Sequence, residues 1–381
     1  MKKVVLIRSN PVSPDPPVEK AANTLIKSGY KVTVIGWDRD RDYYSENSTL
    51  ELADGCADIV RFGIKASFGA GFRGNLKPLL TFQKRLKEWL GKNSENYDII
   101  HAFDFDTAAV ASFAAKKYKK KFIYHILDFY ADSHDLGKLR PLIKKFDFSI
   151  INKADVTIIC TEKRKKQIRG SKPKKLVAIH NTPDCKVSEN TARVLSEKSC
   201  PDKIKIVYVG VLVETHMIED IIEFVGKNPD KYEFHIGGFG MLESYIAQKA
   251  EEYPNVFFYG KLPYENTLSL ENDCDLMVAL YDPVVRNHRY CAPNKFYEAI
   301  MLGKPIIMAN NTGFDDIIRE NNIGITVDFS KQGLESGISA LAERRNEWAE
   351  MAERENALYN KQFSWRIMAQ RIKRLYKDLD R

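Results

Sequence analysis

Short apolar runs alternate with segments of helical periodicity from one end of the chain to the other. Residues 3–8, 30–37, 58–62, 98–103, 121–127 and 155–161 are runs of strand length rich in β-branched and aromatic residues, which read as buried strands. After a polar stretch at 184–203 the alternation resumes at 204–211, 232–236, 256–259, 276–280, 305–309 and 324–327. Between the runs, stretches such as 17–27 and 220–225 place apolar residues three and four apart, the spacing of one helix face. Strict alternation of strand and helix predicts parallel sheets with helices on both faces. Two such series predict an α/β protein of two Rossmann-like, doubly wound domains, 1–183 and 184–361. Ligands in such sheets sit beyond the carboxyl ends of the strands, so a central cleft is the expected site. The last segment, 364–380, sets Trp365, Met368, Ile372, Leu375 and Tyr376 along one side of a mostly basic helix. We expect it, as 362–381, to return to the first domain.

Composition changes this picture little. At 381 residues, 44% hydrophobic and 29% charged, the chain suits two globular cores and is not disordered. No apolar run approaches the roughly 20 residues that cross a bilayer. The opening residues carry only the short run 4–7, a strand rather than a signal peptide. The six cysteines (56, 160, 185, 200, 274, 291) form no CxxC pair, which predicts reduced thiols in a cytoplasmic protein.

Charge adds a polarity. Residues 1–183 carry 34 Lys and Arg against 20 Asp and Glu, and the remainder 25 against 31. A basic first half predicts an anionic partner for it. Its clusters are 116–121, 138–145 and 163–175, the last with eight Lys and Arg and no acid. In 76–90, Leu76, Leu79, Leu80, Leu86, Trp89 and Leu90 alternate with Lys77, Lys84, Arg85 and Lys87. That is a basic amphipathic helix, suited either to lie on anionic lipid or to pack on a core. No RNA- or DNA-binding module is visible, so nucleic acid is not an expected partner.

The most informative stretch is Cys291-Ala292-Pro293-Asn294-Lys295-Phe296-Tyr297-Glu298-Ala299-Ile300. It follows a strand and an irregular loop holding Arg286, Asn287, His288, Arg289 and Tyr290. Pro293 suits the first position of a helix. The amides behind it and the helix dipole make an anion site, where Lys295 and the arginines add positive charge. Glu298, one turn further, can accept from two ribose hydroxyls. The plainer reading is an ordinary helix start beside a solvated basic loop.

This run resembles the donor-site helix of the retaining glycosyltransferases of the GT-B fold, family 4, in a branch that carries Pro-Asn-Lys. The resemblance extends over nearly the whole chain. It includes 97–103 followed by Asp104 and Asp106, then 154–160 and 177–181, Val207-Tyr208-Val209-Gly210, 237–240, Phe258-Tyr259-Gly260 and Gly303-Lys304-Pro305. What it implies is a GT-B protein whose first domain takes the acceptor and whose second takes a nucleotide-sugar. Glu298 matches the second glutamate of the family's E-x7-E motif, which holds the ribose. The first falls at Tyr290. The family also places Arg after the glycine at Gly210 and Lys five residues on. Here Val211 and His216 stand there, so Arg286, Arg289 and Lys295 are the candidates to compensate.

The donor site implied by the resemblance comprises Gly210, His216, Gly238, Gly240, Gly260, Leu262, Arg286, Arg289, Tyr290, Pro293, Asn294, Lys295 and Glu298. The acceptor candidates are Asp15, His101, Asp104 and Asp128. The family's usual histidine near the reaction centre falls at Leu127, flanked by His125 and Asp128, and Asp128 joins Lys295 and Glu298 as a catalytic candidate. His101 and His125 also read as core histidines of their strands, and Asp128 as a cap. Retaining transfer needs no protein base if the acceptor proton passes to the departing phosphate, leaving positioning and leaving-group charge as the levers.

The Asp-x-Asp pairs 38/40, 104/106 and 273/275 lie at strand or turn boundaries, where Asp caps backbone. No metal or other cofactor is expected. The implied function is sugar transfer with retention from a nucleotide-diphosphate sugar, of which UDP-sugar is the family's common choice. The acceptor would be lipid-linked or polysaccharide, at the inner face of a membrane. A nucleotide-sugar epimerase of the same fold and a non-catalytic nucleotide-sugar binder are the alternatives.

Overall fold

The computed structural model describes residues 1–67, 71–184 and 193–379. The chain divides into two compact units, Met1–Asn181 with Arg366–Arg381, and Thr182–Trp365. Within the polar stretch at 184–203, residues 185–192, Cys185 included, lie outside the described residues.

The first unit is built on eight strands: β1 (Lys3–Ile7), β2 (Lys31–Asp38), β3 (Tyr43–Leu52), β4 (Gly55–Gly63), β5 (Ile99–Phe103), β6 (Lys121–Ile126), β7 (Val156–Ile159) and β8 (Leu176–Ala178). They lie in the order β3-β4-β2-β1-β5-β6-β7-β8. The helices are α1 (Pro16–Ile26), α2 (Gly71–Lys92), α3 (Asp104–Tyr118), α4 (Tyr130–Ser133), α5 (Arg140–Lys153) and α6 (Arg164–Gln167). The near-continuous apolar runs become central parallel strands because both faces are covered. β5, for example, is buried at every position. Helix α1 starts where Asp15 accepts from Val18 N at 3.3 Å and Pro16 opens the first turn, a pairing that satisfies one orphan amide and presets φ.

One expectation is corrected here and a second is made specific. The sheet is not wholly parallel: β3 pairs antiparallel with β4 from Leu52↔Gly55 to Tyr43↔Gly63. Its sequence, YYSENSTLEL, buries only Leu50, because it is an edge strand with solvent on most positions; its charges also blunt the open edge. Second, the helix expected at 76–90 spans Gly71–Lys92, and its core face is Phe82, Leu86 and Leu90, with Leu79 and Trp89 packed partly against the same core. Leu76 and Leu80 point away, 40% and 56% exposed. Phe82 stacks on Trp37 with centroids 5.1 Å apart, so its truncation to Ala would cost about 3–5 kcal/mol.

The second unit has six parallel strands: β9 (Ile204–Leu212), β10 (Tyr232–Gly240), β11 (Val256–Phe258), β12 (Leu276–Ala279), β13 (Ile306–Ala309) and β14 (Gly324–Val327), in the order β11-β10-β9-β12-β13-β14. Around them pack α7 (Ile218–Gly226), α8 (Glu243–Glu252), α9 (Tyr264–Asp273), α10 (Asn294–Leu302), α11 (Asp315–Asn321), α12 (Lys331–Glu343) and α13 (Trp348–Leu358). β10 runs four residues past its sequence-read end, through Gly240, because the glycines allow it to stay paired with β9 up to Leu212.

The last helix, α14 (Trp365–Leu379), buries Met368, Ile372, Leu375 and Tyr376. From Arg366 on it belongs to the first unit. His180 N donates to Met368 Sδ at 3.2 Å, Arg371 Nη1 to Ala178 O at 2.8 Å, and Lys175 pairs with Asp378 at 2.7 Å.

Candidate functional site

In each sheet the strand order reverses once, between β1 and β5 and between β9 and β12. Ligands of open α/β sheets sit at such a reversal, beyond the carboxyl strand ends.

In the second unit β9 enters the reversal through Tyr208 and Gly210, and β10 lies beside it. At Gly238, φ is +134° and a Cβ would come 1.8 Å from the Gly210 carbonyl oxygen, so only glycine lets the two strands close. Gly238 N donates to Gly260 O at 2.7 Å. Gly260 turns the chain with φ +62°, and Leu262 packs against Gly237. Gly240 makes the same close approach to Leu212.

Beyond β12, the segment 286–290 forms a 3-10 turn, and α10 follows. Pro293 is the N-cap of α10 rather than its first residue, Asn294 taking that place, and no side chain caps the helix. Phe296 N donates to Pro293 O at 3.1 Å, and the helix dipole favours an anion at this end. Lys295, at the second position, is 7% exposed. Its Nζ lies 4.2 Å from the centroid of Tyr208 and would be 2.5 Å from a Cβ at Gly210. Burial lowers its pKa, against the pull of Glu298, Glu271 and Cys291. Glu298, one turn deeper and 4% exposed, accepts from Tyr264 Oη at 3.1 Å.

His216 does not supply the second cation. It is 8% exposed, pairs through Nδ1 with Tyr208 Oη at 2.7 Å and lies 3.2 Å from Val211 O. Burial and then Lys295 hold its pKa down at about 4, against the hydrogen bond to Val211, so it is neutral at pH 7. Its ring belongs to an aromatic group with Tyr281 and His288, at 4.6 and 5.9 Å between centroids. Arg286 and Arg289 are exposed, and Arg289 Nε donates to Pro283 O at 2.7 Å. Tyr290 is half-buried. Of Arg286, Arg289 and Lys295, the one whose ammonium lies against Gly210 is Lys295.

The acceptor candidates sit at the other reversal. Arg8, just past β1, pairs with Asp15 at 2.9 Å and with Asp104. Asp104 has φ +61° and accepts from Leu127 N at 2.8 Å and Asp128 N at 3.1 Å. Asp128, exposed, pairs with the buried Arg164 at 3.0 Å. His101 is 1% exposed, with Nδ1 2.7 Å from Tyr376 Oη and Nε2 3.2 Å from His125 Nδ1. Burial holds its pKa near 3. His101 is thus a neutral core histidine, buried rather than open to an acceptor as expected of it from the resemblance.

The Asp pairs act on backbone. Asp38 accepts from Asp40 N at 3.0 Å and Asp275 from Lys205 N at 2.8 Å. Among the described residues no group of three His, Cys, Asp or Glu could hold a metal ion.

Sequence reasoning missed Arg8, Tyr264, Glu271 and the aromatic face of Tyr208 as members of these sites. Arg8 directly follows a strand that the alternation located, a usable signal. Glu271 carries a weaker one, a charge at helical spacing, three positions after Leu268, on the buried side of α9. Tyr264 stands 34 positions from Glu298, and nothing local joins them.

Comparison with known proteins follows the two-part architecture. Residues 18–186 match the family model described as Glycosyltransferase Family 4, and residues 195–362 the model described as Glycosyl transferases group 1. No curated protein matches the chain. Among solved structures, sucrose-phosphate synthase from Thermosynechococcus elongatus superposes with TM-score 0.77 at 16% identity, covering 100% of this chain and 99% of that one. HepE of Anabaena in complex with UDP gives 0.69 at 14%, covering 99% and 100%. The catalytic domain of starch synthase IV from Arabidopsis thaliana, bound to ADP and acarbose, gives 0.70 at 14%, covering 99% of each chain.

Proposed function

We propose, for a chain that belongs to the family 4-like glycosyltransferases of the GT-B fold, that it transfers a hexose with retention from a UDP-sugar to a lipid-linked or polysaccharide acceptor. One observation carries the donor reading: a buried ammonium, Lys295, stands in the first turn of α10 with no carboxylate paired to it among the described residues, and Glu298 lies one turn behind. The α10 amides and Lys295 hold the diphosphate, and Glu298 takes the ribose hydroxyls in place of Tyr264. As the glycosidic bond to phosphate breaks, Lys295 stabilises the charge that develops on the leaving oxygen. The acceptor hydroxyl passes its proton to that phosphate, so no protein base is required. Asp128 orients the acceptor from the first unit, and no metal takes part.

Membrane docking of the first unit is part of this reading. α3 packs between α2 and α5, and the three expose Leu80 at 56%, Phe113 at 54% and Leu142 at 64%. Lysines border them, with Lys87 Nζ 5.1 Å from the Phe113 centroid. Apolar tips among lysines suit an anionic leaflet, which supports a reading in which the protein works at the inner face of a membrane.

Calorimetry against UDP, GDP, ADP and CDP, with Glu298→Ala beside the parent, tests the donor site. Hydrogen bonds to a charged group contribute about 1.5–3 kcal/mol. We expect UDP to bind and the variant to lose about 10- to 100-fold in affinity with an unchanged circular dichroism spectrum. Equal affinity removes Glu298 from the site. Hydrolysis of UDP-sugars without acceptor then separates a transferase from a binder.

A further inference from the structure

Behind the donor pocket lies a carboxyl that the reaction does not use. Glu271, in the last turn of α9, is wholly buried, and neither of its oxygens has a hydrogen-bond partner among the described residues. α9 packs against β9 and α10, the two elements that carry Tyr208, Lys295 and Glu298. A carboxylate so placed would forgo hydration with nothing in exchange, a cost that is met by keeping the proton. Burial raises its pKa well above the ordinary value, Glu298 adds to this, and Lys295 opposes it.

The other titratable groups around it are already engaged or distant in effect. On α9 itself Tyr264 donates to Glu298, Asp273 pairs with Arg193 at 3.6 Å, and Glu265 is exposed. On β9 the Lys205 ammonium donates to Lys203 O at 3.2 Å. Ahead of α10, Cys291 acts on Lys295 rather than on Glu271. Lys304 gives its ammonium to Asn272 O at 2.7 Å, and among the described residues the charges that bear on Glu271 are those of Glu298, which raises its pKa, and Lys295, which lowers it.

We propose that Glu271 is a proton-carrying positioning residue of the donor site: protonated behind Lys295, it leaves that ammonium to the donor's diphosphate, and wherever part of the free protein has Glu271 ionised, nucleotide binding takes up protons. The inference rests on the donor reading above and deepens it. An ionised Glu271 would take Lys295 as its own counter-ion and repel the diphosphate. Conversely, a bound diphosphate makes both Glu271 and Lys295 hold their protons more tightly, and the protons come from solvent. His216 adds nothing at neutral or alkaline pH, since it titrates near 4.

The test is calorimetry of UDP binding between pH 7.5 and 9.5, in two buffers of different ionisation enthalpy, on the full chain. The parent protein is expected to take up protons. Its affinity should fall with rising pH, by up to about tenfold per pH unit for each proton linked. Glu271→Gln, which is neutral at every pH, should lose up to one proton of that uptake and show a flatter affinity profile. Cys291→Ser should leave the Glu271-dependent share in place. A structural role alone would move the melting temperature of Glu271→Gln and leave its proton count equal to the parent's; that result overturns the proposal. Binding by the parent without proton uptake overturns it as well, independently of any variant. If none of UDP, GDP, ADP and CDP binds at any pH, the donor reading falls and takes this inference with it.

Discussion

The ammonium of Lys295 lies 4.2 Å from the centre of the Tyr208 ring, so the face of one aromatic side chain holds a buried cation where the family usually sets two basic residues. A desolvated cation–π contact is worth about 2 kcal/mol. The Tyr208 hydroxyl is spent elsewhere, donating to Val211 O at 2.7 Å and meeting His216. Tyr208→Leu should therefore weaken UDP binding by roughly 30-fold. Tyr208→Phe keeps the ring and should weaken it far less. Titration calorimetry of both separates ring from hydroxyl, and equal losses would assign the effect to the hydroxyl bonds.

Gly238→Ala places a methyl where the Gly210 carbonyl already is, at 1.8 Å. β9 and β10 must part at the point where they bring Gly210 to Lys295. The variant should lose donor binding and more than about 1 kcal/mol of stability, since its φ of +134° is also wrong for Ala. Gly29→Ala, at φ +84° with open space around it, should cost about 1 kcal/mol and leave UDP binding as it was. Urea midpoints and calorimetry on the pair check both.

Acid should unfold the first unit through its buried histidines. Burial holds His101 near 3 and pushes His125 well below its usual value, helped by His101 and Arg8. Unfolded histidine titrates near 6.5. Stability is therefore complete above about 6.5 and falls as the pH drops below it, because the unfolded chain takes up protons that the folded one refuses. The loss is about 1.4 kcal/mol per pH unit for each histidine. His101→Gln should reduce that slope by up to one proton between pH 6.5 and 5, read from urea midpoints, whereas an unchanged slope would mean that His101 is already solvated.

If α2, α3 and α5 meet a membrane, the contact lies at Leu80, Phe113 and Leu142. Sedimentation should then bring the protein down with phosphatidylglycerol vesicles and not with phosphatidylcholine vesicles, less so at high salt because surface charge is screened. Leu80→Glu with Leu142→Glu should abolish it without altering UDP affinity. Equal sedimentation with both lipids would leave the basic face without this role.

Much of the fold is legible because buried parallel strands write themselves as apolar runs. The strands around Ile99, Ile123, Ile206 and Met277 need no partner to be recognised. β3 is not legible, since an edge strand with one buried residue has the composition of a loop. The donor helix was readable from Pro293 to Glu298, because a helix start, its charge and its spacing are all local. The roles of its neighbours were not. Nothing in the order of residues says that His216 is neutral, or that Arg289 turns to Pro283 O, because charge state and direction depend on burial.

By itself the sequence determined the two series of strand and helix, the basic first half, and the short run 293–298 to which we assign the diphosphate and the ribose. Those are properties of periodicity and of neighbours within a turn or two. Only the tertiary structure decided which of several basic residues stands against Gly210, that His101 faces Tyr376 of the last helix, and that Glu271 is shut in behind Lys295. Each of these joins residues tens to hundreds of positions apart. Their chemistry is set by desolvation, which exists only once the chain has closed around them.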